Sequence, residues 1–107
     1  MVQMPETGAA EEIATESSLE SLYHLILLDD NDHTYQYVVE MLSRIFGYGK
    51  DKAFAIAAQV DNGGQSIVET VAYDKALKHQ RLVHSFGADP RIEHSVGSMS
   101  AVLEEAP

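Results

Sequence analysis

The stretch from Tyr23 to Leu42, YHLILLDDNDHTYQYVVEML, constrains the fold more than any other part of the chain. An apolar run from Tyr23 to Leu28 stops abruptly at Asp29-Asp30-Asn31-Asp32. A run of this length bounded by turn formers reads as a buried strand. An amphipathic segment follows within a few residues. Its Val38, Met41, Leu42, Ile45 and Phe46 fall at i, i+3, i+4, i+7 and i+8, which is one face of a helix. Three carboxylates and an amide therefore sit on a tight strand-to-helix connection with an apolar face on either side. Such side chains either make the turn and the helix cap or hold something cationic. A cap needs one acid, whereas crowded carboxylates repel one another and a cation relieves the repulsion.

The remaining elements follow from periodicity and punctuation. The first helix begins near Asp32 to Thr34 and runs to about Phe46, with Gly47 suited to a left-handed end. A second helix spans about Lys50 to Asp61 with the stripe Ala53, Ile56, Ala57 and Val60, and Asn62-Gly63-Gly64 ends it. Gln65 to Ala72 reads as the second strand. Asp74 can cap a third helix that runs to about Phe86, with Leu82, Val83 and Phe86 as its core residues and Gly87 after it. A polar loop covers Ala88 to Gly97, and Met99 to Leu103 reads as a short last strand. The expected architecture is α+β: a β-α-α-β-α-β domain with a three-stranded sheet packed against three helices.

Residues 1–22 have a different character. Their charges are all acidic (Glu6, Glu11, Glu12, Glu16 and Glu20), and their apolar residues are too few to offset the entropy of ordering. They read as a flexible acidic extension, leaving residues 23–107 as a single core domain. The chain of 107 residues is too short for two domains and has no Cys, hence no disulfide framework and no thiolate metal site. With 17 acidic against 7 basic residues, net charge −10, it is a poor partner for nucleic acid or an anionic membrane, and the balance points to cationic partners or simply to solubility. No apolar run approaches the ~20 residues of a membrane span, and no secretory signal opens the sequence, so the expected compartment is the cytoplasm.

The acid cluster admits three chemistries. As a metal loop counted from Asp29, Asn31 falls at the third position and Glu40 at the twelfth, but Thr34 stands where a Gly belongs and His33 is a poor oxygen ligand. His24, His33, His79, His84 and His94 form neither HExxH nor an i, i+4 pair, so no metal or other cofactor is expected. As an enzyme, Asp30 and His33 offer an acid–base pair, yet no nucleophile motif, phosphate loop or cofactor fingerprint accompanies them. The third chemistry is a peptide α-ammonium, whose three donors want converging acceptors beside an apolar groove.

The same residues resemble the ClpS family of Clp protease adaptors. In that family the first strand runs into an Asn-Asp-Asp motif, a Tyr-Thr-Pro turn and a helix with an aromatic-Gly end, here Phe46-Gly47-Tyr48. The resemblance implies a non-catalytic adaptor. It would bind substrate proteins with a bulky hydrophobic N-terminal residue (N-degrons) and deliver them to a Clp AAA+ unfoldase of the ClpA or ClpC type through that partner's N-terminal domain. Carried over residue by residue, the family's motif falls on Asp29, Asp30 and Asn31, its Thr before the helix on His33 and its gating Met on Tyr35. Its pocket Val of the first helix is Val38. On the second helix its pocket Met falls on Ala57, its Val on Val60 and its amine-contacting His on Asp61. Its C-terminal apolar wall falls on Met99. The resemblance thus implies an α-amine site of Asp29, Asp30 and Asp61, and a side-chain pocket of Asn31, His33, Tyr35, Val38, Ala57, Val60 and Met99. It also implies an unfoldase-facing surface of Asp74, Lys78 and His79. The alternative is a divergent family member that docks on the unfoldase and modulates it without reading N-termini.

Overall fold

The computed structural model describes residues 21–107. Its elements run β1 (Leu22–Leu28), α1 (Tyr35–Phe46), α2 (Lys50–Gly63), β2 (Gln65–Ala72), α3 (Tyr73–His84) and β3 (Ala101–Glu105). This is the expected α+β order. The acidic extension lies outside the described residues except for its last two, and Leu22 already belongs to β1.

β1 is the middle strand of an antiparallel sheet of order β2-β1-β3. Its continuous apolar run suits that place, since a central strand has no edge to hide and both its faces can be covered. Leu25 and Leu27 join the core formed with Val68, Ala101 and the buried helix residues, among them Tyr37, Val38, Met41, Leu42, Ile56, Val60 and Val83. Ile26 points the other way, paired with Ile67 on β2 and Val102 on β3. The register slips beside it: Leu25 pairs with Glu69 and Ile26 with Ile67, so Val68 is the extra residue of a bulge. The Tyr48 hydroxyl donates to the Val68 carbonyl at 2.8 Å. Bulges re-aim side chains, and here Glu69 is turned inward to meet Nδ1 of His79 on α3 at 2.6 Å.

Thr34 caps α1: its hydroxyl oxygen accepts the Tyr37 N–H at 3.1 Å. The helix ends at Gly47, whose φ of 73° lets its N–H reach the Ser43 carbonyl. α2 continues through Asn62 and Gly63 rather than stopping at Asp61, and Gly64, at φ 88°, ends it. Ala53 and Ala57 on its buried stripe are small enough to let α1 approach closely.

Three expectations are corrected. α3 begins at Tyr73 and stops at His84, with Ala72 at the cap position and no side-chain cap; Asp74 sits inside the first turn, where its charge favours the helix dipole instead. Leu82 is exposed, because the inward face of α3 is set by Ala76 and Val83, one heptad apart, and Leu82 lies off that line. The last strand is Ala101–Glu105, two residues later than Met99–Leu103, because its pairing with β1 runs from Leu27↔Ala101 to Tyr23↔Glu105. Met99 thereby stays in the preceding loop, buried.

Met41 is wholly buried where α1 enters the core, whereas Ile67 is 48% exposed on the outer sheet face. Met41→Ala is expected to cost about 2–5 kcal/mol, and Ile67→Ala about 1 kcal/mol or less. Urea unfolding of both variants measures this, and equal losses would show that the outer face is packed like the core.

Candidate functional site

The end of β1, the start of α1 and the end of α2 meet around a small pocket. Val38, Ala57, Val60 and Met99 form its apolar floor, all 5% exposed or less. Asp29, Asp30 and Asp61 stand around its mouth, with His33, Thr34 and Tyr35 completing the lining. The cavity is about 50 Å³. A benzene-sized ligand needs about 150 Å³, so the pocket is shut to a large side chain in this conformation. Tyr35 stands in its lining beside Asp61, and the phenol hydroxyl donates to Oδ2 of Asp61 at 2.7 Å. That hydrogen bond, with burial and the negative charges of Asp61 and Asp29, raises the Tyr35 pKa, so the phenol stays a donor at neutral pH.

The acid loop is tied down from the far side of the chain. Asp30 accepts the Asp32 N–H at 2.9 Å, an Asx turn. His33, whose side chain is 3% exposed, sets Nδ1 at 2.8 Å from Oδ1 of Asp30 and Nε2 at 2.7 Å from the Gly97 carbonyl. With both ring nitrogens engaged, the pair is a structural tie and not an open acid–base couple. His94 adds an exposed contact to Asp32 at 3.0 Å.

The strongest tie is Asp89, 1% exposed. Its Oδ2 accepts the Thr34 N–H at 2.7 Å and the Thr34 hydroxyl at 2.8 Å. Its Oδ1 accepts the Arg91 N–H at 3.0 Å and the Arg91 guanidinium at 3.1 Å. Burial alone would raise the pKa of this carboxyl, but the hydrogen bonds from Thr34 and Arg91 outweigh it and lower the value from 3.8 to about 2. Arg91 also donates to Glu40 on α1 at 2.7 Å, which occupies the residue counted twelfth in the metal-loop reading. Among the described residues no three His, Asp or Glu side chains converge as a metal site.

Nine of the ten residues expected at the amine site and pocket thus line one cavity. Asn31 does not: it is exposed and absent from the lining. The expected unfoldase-facing trio is split. Asp74 and Lys78, one turn apart on α3, are exposed, whereas His79 turns inward to Glu69 and lies edge-on to Phe46, ring centroids 4.8 Å apart. Sequence reading missed Asp89 and Arg91 altogether. The signal for the first was Asp89-Pro90, a dipeptide that starts turns.

The chain and its fold match known proteins. The family model described as ATP-dependent Clp protease adaptor protein ClpS matches residues 18–91, a span that holds every element from β1 to α3 and ends before Met99. The ATP-dependent Clp protease adapter protein ClpS of Campylobacter jejuni (strain 81-176) is 31% identical over 80 residues, 75% of this chain and 81% of that protein. That of Rhodococcus jostii is 29% identical over 69 residues, so the match covers only 62% of its length. Among solved structures, Agrobacterium tumefaciens ClpS2 bound to L-phenylalaninamide has the same fold, with a TM-score of 0.64 over 80% of this chain and 98% of that one, at 18% identity. The architecture is that of a Clp protease adaptor domain, and the chain belongs to the ClpS family.

The pKa of Asp89 has a consequence for stability. A carboxyl depressed in the folded state contributes stability that is full above its unfolded value, 3.8, and lost as pH falls through about 2. The contribution is about 2 kcal/mol. Asp89→Asn should therefore be clearly less stable than the parent at pH 7, with the gap narrowing from about pH 4 to about pH 2. Urea midpoints of both proteins across that range measure it; a constant gap would mean the carboxylate charge is not what holds the loop.

Proposed function

We propose that this protein is a cytoplasmic adaptor that binds proteins with a bulky hydrophobic N-terminal residue through their free α-amine and hands them to a Clp AAA+ unfoldase. One observation carries this reading: the carboxylates of Asp29, Asp30 and Asp61 border the same cavity as the apolar Val38, Ala57, Val60 and Met99. A peptide's first residue is the one place where an ammonium and a side chain leave the same carbon. An acid mouth over an apolar floor is complementary to that pair. The similar Agrobacterium fold was solved with L-phenylalaninamide, a free amine bearing an aromatic side chain. Membership of an adaptor family supplies the destination, and the exposed Asp74 and Lys78 on α3 supply a charged face for docking.

The closed pocket adds a step. Tyr35 spends its hydroxyl on Asp61, the carboxylate an incoming ammonium would also seek. Binding then exchanges a phenol for an ammonium on Asp61 and moves the ring aside to admit the side chain. Closure also favours the second reading, a family member that docks on the unfoldase without reading N-termini.

Fluorescence polarisation with peptides starting in free or N-acetylated Leu or Phe separates the two. Free peptides are expected to bind at least about tenfold more tightly, since charge-assisted hydrogen bonds to the ammonium are lost on acetylation. Tyr35→Phe keeps the ring and removes the latch, and should tighten free-peptide binding roughly fivefold. Equal binding of free and acetylated peptides would sink the adaptor reading. Absence of binding even after Tyr35→Ala would favour the docking-only reading.

A further inference from the structure

Tyr35 is a wall of two cavities. Behind its ring lies an open shelf of about 350 Å³, formed by Tyr35, Gln36, Val39 and Glu40 of α1 and by Lys50 and Phe54 of α2. The Tyr35 and Phe54 rings lie 5.2 Å apart at 53°. Phe54 is 54% exposed, a large apolar group held at the surface by a helix that could have carried a polar residue there. On α2, Phe54 and Asp61 are seven residues apart, so they lie on one side of the helix about 10.5 Å from each other. The shelf therefore continues directly from the acid mouth, on the same side of α2.

We infer that the shelf receives the side chain of the third residue of a bound peptide, and that it selects aromatic or large aliphatic groups there. The inference rests on the N-terminal-residue pocket proposed above. In an extended peptide, successive side chains point to opposite sides. If the first enters the pocket, the second points away and the third returns to the protein surface. The first and third Cα atoms are about 7 Å apart, and a Phe or Leu side chain covers the remaining distance from the acid mouth to the Phe54 ring. At 350 Å³ the shelf is larger than the roughly 150 Å³ a benzene ring fills. Its one acid, Glu40, is already held by Arg91, and its one base, Lys50, is exposed to solvent beside the apolar Tyr35, Val39 and Phe54 that form the selecting surface.

The test uses the full chain and free-amine peptides that begin with Leu and carry Ala or Phe at residue two or residue three. Phe at residue three should bind about fivefold more tightly than Ala there, as an added aromatic contact gives, and Phe at residue two should change affinity little. Phe54→Ala should erase the residue-three preference, and Phe54→Tyr should retain it, with circular dichroism showing both variants folded. Free-amine binding that ignores residue three, or a preference that survives Phe54→Ala, overturns the shelf alone. Failure of every free-amine peptide to bind overturns the pocket reading and the shelf with it. A concentration-dependent dimer that Phe54→Ala abolishes, seen by sedimentation, would assign the shelf to a second copy of the chain and equally overturn the inference.

Discussion

The buried carboxylate of Asp89 is the interaction on which the rest of the site depends. Residues 85–100 form no helix or strand, yet they carry Met99, one wall of the pocket, and Gly97, whose carbonyl holds His33. Burying a charge costs several kcal/mol unless it is fully hydrogen-bonded. Asp89 meets that condition with two donors from Thr34 and two from Arg91. The carboxylate thereby joins the long loop to the residue that starts α1. Further bonds reinforce the tie: the Tyr37 hydroxyl donates to the Gly87 carbonyl at 2.5 Å, and the Gly87 N–H donates to the Ser98 hydroxyl at 2.6 Å. Gly87, at φ 107°, makes the sharp exit from α3 that lets the loop fold back this way.

The same tie explains why acids remain at the pocket mouth. Had Asp30 or Asp32 capped α1, its oxygen would face the backbone N–H groups of the first turn. Thr34 takes that role, and Asp89 accepts the Thr34 N–H and hydroxyl in turn. Asp29 is left exposed, and Asp30 is shared between the Asx turn and His33. Asp61 comes from the other helix and sits at the rim only because α2 runs on past it to Gly63. The loop thus supplies two carboxylates to the mouth and the end of α2 supplies the third.

Much of this was legible in the sequence, for physical reasons that differ by element. The strand Tyr23–Leu28, the stripe of α1 and the stripe of α2 were readable because burial imposes period on the chain, and those residues are buried where the period placed them. The ends of α3 and β3 were not. No side chain caps the start of α3, and the start of β3 is decided by pairing with β1, a contact with residues far away in sequence. Val38, Ala57, Val60 and Asp61, which line one cavity, were singled out only through resemblance to a family, since a pocket floor and an ordinary core have the same pattern. Asp89 and Arg91 escaped because a polar loop carries no periodicity, and only the folded chain shows that Asp89 is buried. Asn31 is the one expected pocket residue that the cavity lining does not include. The family motif carried over to it, but Asn31 is exposed and does not line the cavity that Asp29 and Asp30 border.

Tyr35 links these parts into one device. A purely apolar side chain at the start of α1 would close the pocket by shape alone, and its opening would be independent of any charge. The phenol closes it through Asp61, one of the carboxylates of the proposed amine site. A ligand that brings a positive charge therefore removes the restraint in the act of binding, whereas an uncharged one must break the hydrogen bond without replacing it. The other face of the ring rests toward Phe54, so displacement of Tyr35 also reshapes the shelf. Pocket and shelf share Tyr35 as a wall, so under the proposed reading a ligand that displaces the ring would couple their occupancies. The coupling is a property of one residue's position: at the first turn of α1, anchored behind by Thr34 and Asp89, with its hydroxyl on one cavity and its ring on another.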